Sequence, residues 1–112
     1  MTTFATGASR NLDENKLDFD GFYSPWVIEA YARYMHKNRK QADGTFRGSD
    51  NWKQGIPLKS YKKSLWRHFF AVWFGLITGT CSMDDLCGIL FNTMGIMHEF
   101  HVRPETQTQE VQ

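Results

Sequence analysis

Disulfides, a membrane-spanning run and a strong net charge are all missing from this chain, and each absence narrows what it does. Cysteine occurs only at Cys81 and Cys87, too few for a disulfide scaffold. Acidic and basic residues nearly cancel, 12 against 13, so no global field draws the chain toward nucleic acid or an anionic bilayer, and such contacts would need a local patch. The opening residues hold no charged leader with an apolar core and small-residue cleavage site, which predicts a cytoplasmic protein. The uncharged stretch from Phe69 to Met83 is broken by Gly75, Thr78, Gly79, Thr80 and Ser82 and falls short of the roughly 20 apolar residues a bilayer span requires. P-loop, nucleophile-elbow and H-E-x-x-H motifs are absent, so nucleophilic catalysis has no anchor. Cys87 and His98 lie roughly 16 Å apart along one helix and no C-x-x-C pair occurs, which argues against zinc.

What is present is apolar surface for one domain: 41% hydrophobic and 15% aromatic residues. Residues 1–17 and 103–112 are polar with little periodicity and are expected to be flexible arms around a single all-α domain, 18–102. A first helix opens at Ser24-Pro25, a capping side chain before the ring that suits the first helical position, with Trp26, Ala30, Tyr31, Tyr34 and Met35 as its apolar stripe. A second starts near Pro57 and ends at Gly75, with Leu58, Tyr61, Leu65, Phe69 and Val72 as its stripe, broadened by Trp66 and Trp73; it contains no acid. A third begins at Ser82, where Asp85 completes a short-armed capping box, with Leu86, Ile89, Leu90, Met94, Met97 and Phe100 or His101 as its stripe. These predict a compact three-helix core with a long ordered loop of about 19 residues between the first two helices.

Several constellations could carry chemistry. On the third helix Asp85, Asn92 and Glu99 recur every seven residues beside Gly88 and Gly95, which marks either a helix-packing groove or a ligand face. Asp85 and Glu99 are roughly 21 Å apart along one helix, too far to share an ion. Two copies crossing antiparallel near Asn92 would bring Asp85 of one close to Glu99 of the other, so Asp84, Asp85 and Glu99 are candidate Mg²⁺ (or Mn²⁺) ligands in a homodimer, with helix capping as the plainer role for the aspartates. Arg67 and His68 sit in an aromatic helix, where a cation and a titratable ring need partners; phosphate is one, and a carboxylate with a backbone carbonyl the other. Asn51, Trp52 and Lys53 offer an amide, a stacking ring and a cation, the ingredients of a nucleotide site, although Trp52 could equally plug the core. The basic cluster Arg33, Lys37, Arg39, Lys40 and Arg47 is balanced elsewhere, so nucleic acid ranks last among partners.

Three segments carry a family likeness: DGFYSPWVIEAYARYMHKNRKQADGTFRGSDNWKQGIP, then YKKSLWRHFFAVW, then DDLCGILFNTMGIMHEF. Their order, and the runs SDNWKQGIP, RHF and LFNTMG in particular, resembles the phage dATP/dGTP diphosphohydrolase N-terminal domain family, related to the all-α MazG-like nucleotide pyrophosphohydrolases. The resemblance implies a purine deoxynucleotide as ligand and cleavage of its α–β phosphate link with Mg²⁺. On an enzymatic reading the candidates take these roles: Asp84, Asp85 and Glu99 on metal, Arg67 and Lys53 on phosphate, His68 on a phosphate oxygen, and Asn51, Trp52 and Asn92 on base or sugar. The paired carboxylates of MazG-type enzymes are not matched here, since Ala71 follows the RHF landmark where an acid is expected. The alternative is a non-catalytic helical module that binds a nucleotide or a host protein.

Overall fold

The structure, a computed structural model, describes residues 2–10 and 15–105. The tail from residue 106, residues 11–14 and residue 1 lie outside the described residues, and with them most of the expected C-terminal arm and part of the N-terminal one. Two short strands, β1 (Thr2–Thr3) and β2 (Ser9–Arg10), pair antiparallel, and a single helical turn, α1 (Phe19–Phe22), follows. The three expected helices are then found as α2 (Pro25–Lys37), α3 (Leu58–Thr78) and α4 (Met83–Val102).

Local chemistry explains their ends. Ser24 Oγ accepts from Val27 N at 3.3 Å, with Pro25 at the first helical position, and Asn38 Nδ2 closes α2 by donating to the Tyr34 carbonyl at 2.7 Å. At α4, Ser82 Oγ accepts from Asp85 N at 3.1 Å and donates to Asp85 Oδ2 at 3.0 Å, the reciprocal cap expected from the sequence. The second helix does not stop at Gly75. It runs to Thr78 and ends at Gly79, whose φ of 76° is the left-handed conformation that glycine adopts without cost. Gly75 serves instead to let the turn fold back, because a Cβ there would lie 2.7 Å from Cys81 Cα.

α3 and α4 form an antiparallel hairpin that holds most of the tertiary contact, and α2 lies against α4. The hairpin is unusually close because its two glycines face rings: a Cβ on Gly88 would fall 2.5 Å from His68, and one on Gly95 would fall 2.3 Å from Tyr61. Asn92, 1% exposed, ties the helices by donating Nδ2 to Ser64 Oγ at 3.1 Å and to the Gly88 carbonyl at 2.7 Å. The stripe of Asp85, Gly88, Asn92, Gly95 and Glu99 is therefore the packing groove for the chain's own α3. The antiparallel crossing of two copies near Asn92 is not available through it, since α3 already occupies that side.

The expected compact core is also corrected. Leu58, Tyr61, Val72 and Cys87 are the buried hydrophobic side chains among the described residues, and the Cα radius of gyration is 19.1 Å, against about 13 Å for a compact domain of this size. Of the stripe assigned to the third helix, Leu86, Leu90, Met94, Met97 and Phe100 are exposed, and so are Trp26, Trp66, Phe69 and Trp73. The physical reason is that close approach selected the small side chains for the intrachain seam, and an α4 with its glycines turned inward must turn its large apolar residues outward.

Candidate functional site

The segment between α2 and α3 is built from local turns. Lys40 and Phe46 bridge across a turn at Asp43-Gly44, where Asp43 Oδ1 accepts from Thr45 N at 2.9 Å and Thr45 Oγ1 at 2.6 Å. These two donors hold the Asp43 carboxyl below its ordinary range. A 3-10 turn, Asn51–Gln54, then carries three of the expected site residues. Its position is set from below by Arg103, whose Nη2 donates to the carbonyls of Lys53 at 3.0 Å and Gln54 at 2.9 Å, while Nη1 donates to Glu99 at 2.7 Å. Glu99 is 4% exposed, so this ion pair is what allows a carboxylate to be buried there. From above, Trp52 is pinned edge-on against His98 and Phe91, with centroid distances of 4.9 and 6.1 Å.

Between this segment, the C-terminal half of α2 and the α3–α4 hairpin lies an open cavity of about 770 Å³. Tyr34, Met35, Ile56, Phe91 and Trp52 supply apolar wall, and His36, Asn38, Ser49, Asn51, Ser64 and Asn92 supply polar groups. Among the described residues three guanidinium-bearing side chains, Arg39, Arg47 and Arg67, line it, and no carboxylate does. Two of the three are already braced: Arg39 donates to the His36 carbonyl at 3.1 Å and stacks 5.6 Å from the Phe46 ring centroid, and Arg47 donates to the Asn38 carbonyl at 3.2 Å. Arg67 is exposed and has no hydrogen-bond or ion-pair partner among the described residues.

The expected site residues thus divide. Asn51, Trp52, Asn92 and Arg67 meet at the cavity. Lys53 is outside its lining, with Nζ 5.7 Å from the Trp52 ring centroid. His68 is turned to the α3–α4 seam, where Nδ1 is 3.1 Å from Asp85 Oδ1; a carboxylate only accepts, so the proton sits on Nδ1. The expected metal ligands are dispersed and engaged: Asp84 pairs with Lys37 at 2.6 Å, Asp85 with Ser82 and His68, and Glu99 with Arg103. No group of three or more His, Cys, Asp or Glu side chains able to hold an ion exists among the described residues.

Three features escaped the sequence. The sequence assigns Arg103 to the polar C-terminal tail, and only its contacts reveal it as the brace of the 3-10 turn. Arg39 and Arg47 were visible as members of a basic cluster, but which of that cluster would share a cavity was not. Arg33 and Lys37, from the same cluster, are neutralised by Glu29 and Asp84. Comparison with protein-family models, curated proteins and solved structures finds no match to this chain.

Proposed function

We propose that this chain binds a purine deoxynucleoside triphosphate in the cavity beneath the α2–α3 segment. The observation that carries the reading is the pairing of three arginines with no carboxylate from the described residues in a cavity of about 770 Å³, a volume suited to a nucleotide. An anion pays little electrostatic cost there and gains charge-assisted hydrogen bonds, above all from Arg67, whose guanidinium has no competing partner to give up. Trp52 and Phe91 offer ring faces or edges for a base, and the Asn51 amide lies beside them. The preference for a purine deoxynucleotide comes from the family resemblance, as does a phage origin.

Of the two outcomes of binding, retention without hydrolysis is favoured by one observation: Asp84, Asp85 and Glu99 are each held by a cation, a histidine or a hydroxyl away from the cavity lining. A pyrophosphohydrolase needs carboxylates to hold its metal, and these are spent on structure. Mg²⁺ or Mn²⁺ would enter as the triphosphate's own counter-ion. A host-protein-binding role is the remaining alternative, and it predicts no nucleotide affinity.

The test is calorimetric titration of the purified chain with dATP, dGTP, dCTP and dTTP, each with and without Mg²⁺, alongside a pyrophosphate-release assay. Saturable purine binding is expected, weakened about tenfold or more by Arg67→Ala, because a charge-assisted contact contributes about 1.5–3 kcal/mol. Arg67 is exposed and unpartnered, so the substitution should leave the melting temperature unchanged. Equal affinity in wild type and Arg67→Ala, or none for any nucleotide, removes the proposal; pyrophosphate release abolished by Asp85→Asn would restore the enzymatic alternative.

A further inference from the structure

We infer that the flank of the α3–α4 hairpin opposite the cavity is the seat of a second copy of this chain, independently of what the cavity binds. At about 100° per residue, helical geometry puts Ser64, Arg67 and Phe91 on the flank facing α2, and Phe69, Trp73, Leu76, Leu86, Met97 and Phe100 on the other. Among the described residues nothing covers that second flank: Trp73 is 53% exposed, Met97 66% and Leu76 70%. The hairpin is one layer with a lid on one side and bare apolar surface on the other.

Three observations select another copy as the occupant. The first is area. Scaled by their fractional exposures, those six side chains alone present about 650 Å² of apolar surface, close to the roughly 800 Å² that each partner of a stable complex contributes. The second is charge. A two-fold axis sets a face against itself, which a charged face resists; the flank positions from Leu65 to Leu76 and from Leu86 to Phe100 are uncharged, with Lys62, seven residues before Phe69, at the margin. The third is dependence. With four hydrophobic side chains buried among the described residues, a lone protomer lacks the core to fold stably, so the covering surface must be present wherever the chain is made. The chain itself always meets that condition. Two hairpins stacked through this flank form a four-helix layer with both cavities facing outward and open.

Sedimentation and light scattering of the full chain at micromolar concentration test the inference. The expected mass is twice 13.1 kDa, or about 26 kDa, with a melting temperature that rises with protein concentration. Met97→Glu, which enters the interface twice by symmetry, should weaken association at least a hundredfold. Should that variant precipitate, Leu76→Gln at an exposed position is measured in its place, with at least a tenfold weakening expected. A 13.1 kDa wild-type particle with a concentration-independent melt overturns the inference. So does a dimer indifferent to these substitutions, which would be joined elsewhere, and so does a monomer that co-sediments with phosphatidylglycerol vesicles, which would assign the flank to a bilayer.

Discussion

Glycine at position 95 should be worth more to this protein than any aliphatic residue, and replacing it with alanine tests the account of the hairpin seam directly. In a solvent-facing helix interior, Gly→Ala stabilises by about 1 kcal/mol through backbone entropy. Here the added Cβ would lie 2.3 Å from Tyr61 Cε1 and Cζ and 2.4 Å from its hydroxyl, where ordinary contact begins at 3.4 Å. The overlap of more than 1 Å meets a ring that is 1% exposed and lies 5.8 Å from the Phe91 ring centroid, so it has nowhere to swing. Relief requires the helices to part, straining the Asn92 bonds one turn away. Overpacking costs about 1–3 kcal/mol, and an overlap this deep belongs in the upper part of that range, about 2–3 kcal/mol, which outweighs the helical gain for a net loss of about 1–2 kcal/mol. At roughly 4–8 °C per kcal/mol for a domain of this size, the melting temperature should fall by roughly 4–16 °C. Thermal and urea unfolding followed by far-ultraviolet circular dichroism would read it at fixed protein concentration. In a Tyr61→Ala background the same substitution should become neutral or stabilising, because the ring it strikes is gone. A Gly95→Ala protein that melts higher than wild type would mean that α4 does not turn this face to α3.

Arg103→Ala should destabilise by about 2–4 kcal/mol, because it leaves the buried Glu99 carboxylate without its cation and releases the 3-10 turn; Glu99→Gln in the same chain should recover part of the loss in urea melts. Tyr61 makes an alkaline prediction. Burial, reinforced by the Glu99 carboxylate, pushes its phenol up to about 12, whereas an unfolded tyrosine ionises near its ordinary 10. The unfolded chain therefore loses its proton first, so this group's share of stability is complete below pH 10 and drains away as pH rises toward 12. Burial raises Tyr31 and Tyr34 in the same direction, so they add to the loss. The Tyr61 hydroxyl is buried without a hydrogen-bond partner among the described residues, so Tyr61→Phe should leave neutral-pH stability unchanged or raise it by about 1 kcal/mol while flattening the alkaline decline.

Much of the fold was legible because helix ends are written locally. Ser24-Pro25 and Ser82 with Asp85 are statements about backbone donors within one turn, and both caps form as their side chains dictate. The cavity is legible in part: the chemistry of Asn51, Trp52 and Arg67 places them in it, whereas the seven-residue recurrence of Asp85, Asn92 and Glu99 marks the seam, where Asn92 alone also reaches the cavity. Periodicity identifies which residues share a face but not what that face meets. Gly88 and Gly95 admitted either a packing groove or a ligand surface, and the rings of His68 and Tyr61 decide for packing.

The amino-acid order alone determined three amphipathic helices, the N-terminal caps of α2 and α4 and, among the described residues, the absence of a helix long and apolar enough for a bilayer, since each follows from bonds between near neighbours or from counting apolar positions. Tertiary structure decided the rest. It turned the small-residue stripe of α4 inward and its large apolar stripe outward, because two backbones can approach only where side chains are missing. It brought Arg39 and Arg47 of the α2–α3 segment and Arg67 of α3 around one space, and it set Arg103 beneath the 3-10 turn, a contact across 50 residues that no local pattern encodes.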